Sequence, residues 1–262
     1  MSQIQLDFQR YEFKYVIPRA LCDPIDQFVQ CFAKPDLFTR KNPEGYYTIT
    51  SLYLDNPQLT FHLAKGRKEV NRVKLRLRTY GNSIENPVFA EIKRKVKGTI
   101  VKKRVRILDK DWQQLARTGF HTLHTRTERD AQAMEAFSQI QQNYGAYPSM
   151  LVRYNRRAYE STIDDYARVT FDSALCCQRP TGYQLVPQDQ NWMFIDNPVQ
   201  TECVHRSGLV LELKFAGVAP RWMEELVQYF GLQRRGFSKY SASVERGLDC
   251  YRYDTGHRMP IW

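Results

Sequence analysis

The 262-residue chain contains no run of eighteen apolar residues, so nothing in it has the length and apolarity of a membrane-spanning helix. Its opening residues, MSQIQLDFQRYEFK, carry charge from position 7 onward and have no apolar centre. They lack the pattern of a secretory leader, and a cytoplasmic protein is expected. The six cysteines show no C-x-x-C spacing, and a chain of this length needs no disulfide staples, so free thiols are expected, most of them buried. G-x-x-x-x-G-K-[ST], G-x-G-x-x-G after a strand, H-E-x-x-H and G-x-S-x-G are all missing. His62, His121, His124, His205 and His257 are scattered without ligand spacing. Acid–base catalysis by histidine and a structural zinc site are therefore not expected.

Acidic residues are scarce in one place. Arg72–Arg106 holds twelve Lys or Arg against two Glu and no Asp; without it, 39 Lys and Arg against 28 Asp and Glu fall to 27 against 26. Nearly all the net charge of +11 is local. Lys74, Arg76 and Arg78 alternate with Val73, Leu75 and Leu77, while Lys102, Arg104 and Arg106 alternate with Val101, Val105 and Ile107. That is the period of a strand with one cationic face. Several such strands in series point to one polyanionic ligand.

The 42% hydrophobic and 13% aromatic content favours one β-rich domain over residues 1–262. Strands are predicted over 9–17, 46–54, 72–80, 88–95, 99–108, 150–160, 167–173 and 209–215. Helices are predicted from Pro18 to about Ala33, from an Asp109 cap through Trp112 and Leu115 to Gly119, over 128–144 between Thr127 and Gly145, and from Pro220 to Gly231. A further short helix is expected near Ser238, Lys239 and Tyr240, and a loop over Lys34–Glu44.

In most of these strands apolar and charged residues take opposite parities. The set expected to face inward is Arg10, Glu12 and Lys14; Lys74, Arg76 and Arg78; Glu91, Lys93 and Lys95; Lys102, Arg104 and Arg106; Tyr154 and Arg156; Arg168, Thr170 and Asp172; Glu212 and Lys214. With the apolar faces packed on helices, closing the sheet turns this set inward and makes a polar lumen. Three E-x-K units recur in it: Glu12/Lys14, Glu91/Lys93 and Glu212/Lys214. Each sets a carboxylate and an ammonium about 6–7 Å apart on one face. The carboxylate can hold Mg²⁺ or Mn²⁺ while the cation takes a phosphate oxygen.

Taken in order, Arg10-Tyr-Glu-Phe-Lys14, Ser51-Leu-Tyr-Leu-Asp55, Lys74-Leu-Arg-Leu-Arg78, Glu91-Ile-Lys93, Lys102-Lys-Arg104, Tyr154-Asn-Arg156-Arg-Ala158, Arg168-Val-Thr-Phe-Asp172, Leu211-Glu-Leu-Lys214 and Ser238-Lys-Tyr240 resemble the VTC-type polyphosphate polymerase domain, a branch of the triphosphate tunnel metalloenzymes. The resemblance implies an α+β fold with a closed eight-stranded antiparallel tunnel barrel and helices outside. It implies a transferase acting on ATP and polyphosphate or triphosphate with Mn²⁺ or Mg²⁺, and no nucleic-acid partner. It assigns phosphate-handling roles to Lys14, Arg76, Arg78, Lys93, Arg156, Arg168, Lys214 and Lys239, and substrate binding to Arg10, Lys74, Lys102, Arg104, Tyr154, Ser238 and Tyr240. Glu212 is the implied metal ligand, with Glu12 beside it and Glu91 as a metal-shell or lysine-orienting residue. The hydrolytic branch has E-x-E-x-K in its first strand, and Arg10 stands at the first of those positions, which favours a polymerase over a triphosphatase. Hydrolysis of a triphosphate, and a polyanion-binding module without turnover, are the alternatives.

Overall fold

A computed structural model describes residues 10–96, 99–118, 124–187, 191–195 and 209–255. In chain order, β1 (Arg10–Ile17) leads through a 3₁₀ turn, Arg19–Leu21, into α1 (Cys22–Gln30), followed by β2 (Ala33–Pro35) and α2 (Leu37–Lys41). Next come β3 (Tyr47–Asp55), α3 (Thr60–Gly66), β4 (Arg72–Tyr80), β5 (Val88–Val96) and β6 (Thr99–Ile107). Helices α4 (Trp112–Thr118) and α5 (Glu128–Asn143) precede β7 (Tyr147–Ser161), β8 (Ala167–Gln178), β9 (Met193–Phe194) and β10 (Leu209–Ala216). Helices α6 (Arg221–Tyr229) and α7 (Lys239–Thr255) complete the order. No described helix is long and apolar enough to cross a membrane.

The chain folds as two compact units. One comprises residues 1–47, 154–175 and 194–237, the other 48–153, 176–193 and 238–262. In the first, β10 pairs antiparallel with β1 on one side and β8 on the other, and β2 pairs with β7. Its core joins Tyr15, Ile17, Val169, Phe171, Leu211 and Leu213 to Ile25, Val29, Trp222 and Leu226 of α1 and α6. In the second, β3, β4, β5 and β6 form an antiparallel series. There Leu52, Leu54, Leu75, Leu77, Ile92 and Val105 pack on Met134, Phe137 and Ile140 of α5.

Parity explains the register. Burying each such leucine contributes roughly 1.5–3 kcal/mol, and a slip of one residue in β4 would expose Leu75 and Leu77 while driving Arg76 and Arg78 into the core. The hydrophobic rows thus hold the charged rows on the opposite face.

Helix α5 follows its sequence signals. The Thr127 side chain accepts from the Asp130 backbone N–H, and Gly145 ends the helix at φ +57°, where a side chain is strained. Its buried face carries Ala133, Met134, Phe137 and Ile140, while Ala131 is exposed.

Other expectations are corrected. The helix after Pro18 begins at Cys22, and Ala33 belongs to a strand. The expected loop 34–44 contains α2, and α3 follows the turn after Asp55. Both helices are too short to register as an apolar period. Asp109 does not cap α4, because its carboxylate accepts from the His124 backbone N–H at 3.0 Å and meets His124 Nδ1 at 2.8 Å. Of the described cysteines, Cys176 and Cys177 are buried free thiols, Cys22 is half-buried and Cys31 is exposed. Lys97 and Gly98, the expected Gly119 stop, His121, Cys203, His205 and His257 lie outside the described residues.

Candidate functional site

Antiparallel pairing of β1, β10 and β8 sets Lys14 opposite Glu212 and Glu212 opposite Thr170, while Glu12 faces Lys214 and Lys214 faces Arg168. Glu212 is 4% exposed and becomes the hub of this cluster. Its Oε1 meets Lys14 Nζ at 3.0 Å, and its Oε2 meets Lys214 Nζ at 2.8 Å and Arg156 Nη2 at 3.7 Å. Lys14 Nζ also contacts Glu12 Oε1 at 3.1 Å.

The two lysines on Glu212 titrate in opposite senses. Burial opposes the charge on Lys14, but Glu212 and Glu12 outweigh it and raise its pKa above the ordinary lysine value. Burial wins at Lys214: Glu212 pulls the other way, the nearby Arg156 charge adds to the penalty, and its pKa is lowered.

Arg156 makes a two-pronged bond to the fully buried Asp172, Nε to Oδ1 at 2.6 Å and Nη2 to Oδ2 at 2.7 Å. Its guanidinium lies 5.4 Å from the centre of the Tyr154 ring. Although burial opposes its charge, Asp172 holds its pKa well above the usual arginine value. Arg168 donates from Nη2 to Asp36 Oδ2 at 2.6 Å, and Tyr47 donates to the same oxygen at 3.2 Å. Asp36 is itself fixed as the α2 cap by the Thr39 backbone N–H. Arg168 Nε is buried with no hydrogen-bond partner, so one donor of this guanidinium is unspent. Arg10 lies over the Tyr166 ring at 4.6 Å.

The second unit holds a different cluster. Pairing of β4, β5 and β6 aligns Lys74, Lys93 and Lys102 in one cross-strand row, and Arg76, Glu91 and Arg104 in the next. Directly opposed side chains of this kind stand about 4.5–5.5 Å apart. Glu91 Oε2 accepts from Arg76 Nε at 2.6 Å and lies 3.8 Å from Arg78 Nη1, and Oε1 lies 3.6 Å from Arg104 Nε. Against the opposing effect of burial, these arginines depress the Glu91 pKa to about 2. Glu91, expected as a metal-shell or lysine-orienting residue, thus orients arginines, because register places Arg76 and Arg104 on either side of it.

Arg78 Nε donates to Ser51 at 3.0 Å, and Arg76 Nη1 donates to the Tyr53 hydroxyl at 3.2 Å. Burial favours the neutral phenol of Tyr53, but Arg76 and Arg78 prevail and lower its pKa. Lys74 Nζ donates to Ser238 Oγ at 2.6 Å, Lys239 is 7% exposed, and the Tyr240 hydroxyl donates to Asp55 at 2.7 Å.

The structure therefore gathers the expected residues into two clusters. Lys14, Glu12, Glu212, Lys214, Arg156, Tyr154 and Arg168 belong to the first unit, with Arg10 beside them. Arg76, Arg78, Glu91, Arg104, Lys74, Lys93, Lys102, Ser238, Lys239 and Tyr240 belong to the second. Sequence reasoning missed Asp36 and Tyr47, and quoted Ser51, Tyr53, Asp55 and Asp172 in its motifs without giving them a role. Asp36, three residues before Thr39, carried a cap signal; the arginines that Asp36, Ser51, Tyr53 and Asp172 hold come from other strands and left no local trace.

Among the described residues no group of three or more His, Cys, Asp or Glu side chains is placed to hold a metal ion. Glu12 and Glu212 do converge on one cationic nitrogen, Lys14 Nζ. Two hard oxygen donors suit Mg²⁺ or Mn²⁺ when phosphate oxygens and water complete the shell, so the donor set fits such an ion.

A family model described as the VTC domain matches residues 9–246. Subunit 4 of the vacuolar transporter chaperone complex of Schizosaccharomyces pombe (strain 972 / ATCC 24843) is 24% identical over 243 residues, which is 82% of this chain and 33% of that protein. The chain thus spans about a third of the length of that curated relative. A solved structure from Pyrococcus horikoshii OT3 aligns over 92% of this chain and 99% of its own, at 13% identity and a TM-score of 0.47. A candidate adenylate cyclase from Vibrio parahaemolyticus aligns over 90% and 97%, at 14% identity and a TM-score of 0.47.

Proposed function

The chain belongs to the VTC domain family, and on that premise we propose that it is a metal-dependent polyphosphate polymerase of the cytoplasm. In this reading the charged faces line one closed eight-stranded tunnel, and the γ-phosphoryl of ATP passes to a phosphate or a growing polyphosphate within it. The observation that carries the reading is the alignment of Lys74, Lys93 and Lys102 in one row beside Arg76 and Arg104. Like charges set opposite one another are destabilising in a sheet, and an anion threaded along the rows offsets that cost.

A terminal phosphate oxygen of the acceptor is anionic at neutral pH, so it attacks the γ-phosphorus without a general base. The bond from the γ-phosphorus to the bridging oxygen breaks, ADP leaves with that oxygen, and the chain grows by one phosphate. The obstacle is repulsion between anions, which positioned guanidinium and ammonium groups reduce. Arg76, Arg78 and Arg104, held in place by Glu91, supply charge to the transferring group. Arg156, fixed by Asp172, and Arg168, with its unspent Nε–H, bind further phosphate oxygens, and Lys14, Lys93, Lys214 and Lys239 hold the chain. Glu212 and Glu12 would hold the divalent metal, which when bound neutralises charge on the phosphates, with Glu91 a lesser donor.

Incubation with ATP and Mn²⁺ tests this. A polyphosphate ladder on a gel is expected. Orthophosphate alone would make the protein a hydrolase, and metal-independent binding with no product would make it a polyanion-binding module. The Glu212→Ala variant is expected to lose metal-dependent turnover, and wild-type activity in it would overturn the Glu212 assignment.

A further inference from the structure

Tyr240 was expected to bind substrate, yet its side chain is 1% exposed and its hydroxyl is committed within the protein. It donates to Asp55 Oδ2 at 2.7 Å and lies 3.1 Å from Ser149 Oγ. Asp55 ends β3 and is fully buried. Besides Tyr240, its oxygens accept from the backbone N–H groups of Asn56 at 2.9 Å, Phe61 at 3.0 Å and His62 at 2.9 Å. One carboxylate thereby ties the start of α3 to the first turn of α7.

The same tyrosine ring stacks on Tyr53, centroids 4.8 Å apart and planes at 20°, and the Tyr53 hydroxyl accepts from Arg76. On the other side of Lys239, Ser238 accepts from Lys74 and caps α7 through the Ser241 backbone N–H at 3.2 Å. Lys239 sits between these two fixed residues. Successive side chains on a helix are turned by about 100°, so fixing the rotation of the first turn at Tyr240 fixes the direction of Lys239.

We infer that Asp55 and Tyr240 form a clamp that positions Lys239 for phosphate, so that Tyr240 is a positioning residue and Asp55 its anchor. The inference rests on the phosphate-binding reading of this cluster. If the hydrogen bond to the buried carboxylate served stability alone, its loss would lower the melting temperature and leave the work of Lys239 untouched. A clamp acts through Lys239, and its effect vanishes when Lys239 is gone.

The test is a double-mutant cycle read as the affinity for inorganic tripolyphosphate, measured by calorimetry without metal alongside thermal melts. Tyr240→Phe keeps the stack on Tyr53 and deletes only the hydroxyl. It is expected to weaken binding about tenfold, equivalent to about 1.4 kcal/mol, in the wild-type background and less than twofold in Lys239→Ala. Asp55→Asn is expected to match Tyr240→Phe, and Ser149→Ala to bind as wild type. Equal weakening by Tyr240→Phe in both backgrounds, or wild-type affinity with only a lower melting temperature, overturns the clamp. Failure of the folded wild-type chain to bind tripolyphosphate overturns the phosphate reading itself, and the clamp with it.

Discussion

Glu91→Gln probes how much a carboxylate ringed by arginines contributes. Its pKa falls from the ordinary 4.5 to about 2, the guanidinium groups of Arg76, Arg78 and Arg104 outweighing burial. Its side chain is 13% exposed, so screening by water is modest. At about 1.36 kcal/mol per pKa unit, ionised Glu91 contributes about 3 kcal/mol of stability at neutral pH. Glutamine keeps one acceptor for Arg76, so a loss of about 2–3 kcal/mol is expected at pH 7. The folded pKa is depressed, so the contribution is complete above 4.5 and is lost as pH falls towards about 2. At pH 3.5 the unfolded carboxyl is mostly protonated while the folded one is still ionised, and the gap between wild type and variant shrinks by about 1.4 kcal/mol. Urea unfolding of both proteins at pH 7 and pH 3.5 measures this. A gap that is the same at both pH values would refute the reasoning, as would one below about 0.5 kcal/mol at pH 7.

Arg156→Ala removes the two-pronged bond to the buried Asp172 carboxylate and is expected to cost about 3–5 kcal/mol in a chemical melt; a loss below about 1 kcal/mol argues against the pairing. Lys214 has a lowered pKa and so loses its charge at a lower pH than Lys14. Tripolyphosphate binding should therefore weaken on the alkaline side as Lys214 deprotonates, and Lys214→Arg should move that limb to higher pH while Lys14→Arg leaves it in place. An unmoved limb in Lys214→Arg rejects the assignment. Gly145→Ala forces an alanine to φ +57° and is expected to lower stability by about 1 kcal/mol, read as a shift in thermal midpoint.

The alternation in Arg72–Arg106 made β4, β5 and β6 legible to within a residue or two, because a period of two is a local property and both faces were strongly marked. The ends of α5 were legible for the same reason, since Thr127 and Gly145 act on their immediate neighbours. What each charged side chain would touch was not. Glu91 and Lys93 belong to one E-x-K unit, yet Glu91 meets arginines, because antiparallel register and not sequence spacing chooses the facing residue. Lys14 and Lys214 look alike in sequence and differ in titration because one touches two carboxylates and the other shares one with Arg156. Asp55 stood in the sequence as the last residue of the Ser51–Asp55 motif. Its role depends on Tyr240, 185 positions away, and no local pattern encodes that pairing.

The cations of the second unit are graded in exposure. Arg78 is 6% exposed and bonded to Ser51, whereas the Arg104 side chain is 46% exposed and Lys102 is exposed. Charges in open solvent act at a distance and are screened by salt, while buried, pre-bonded ones act on contact and are screened little. On the proposed reading, the outer residues would govern how fast a polyanion is captured, and the inner ones how long it stays. Raising ionic strength should slow capture far more than it shortens residence, which separates the outer cations from the inner ones by kinetics alone.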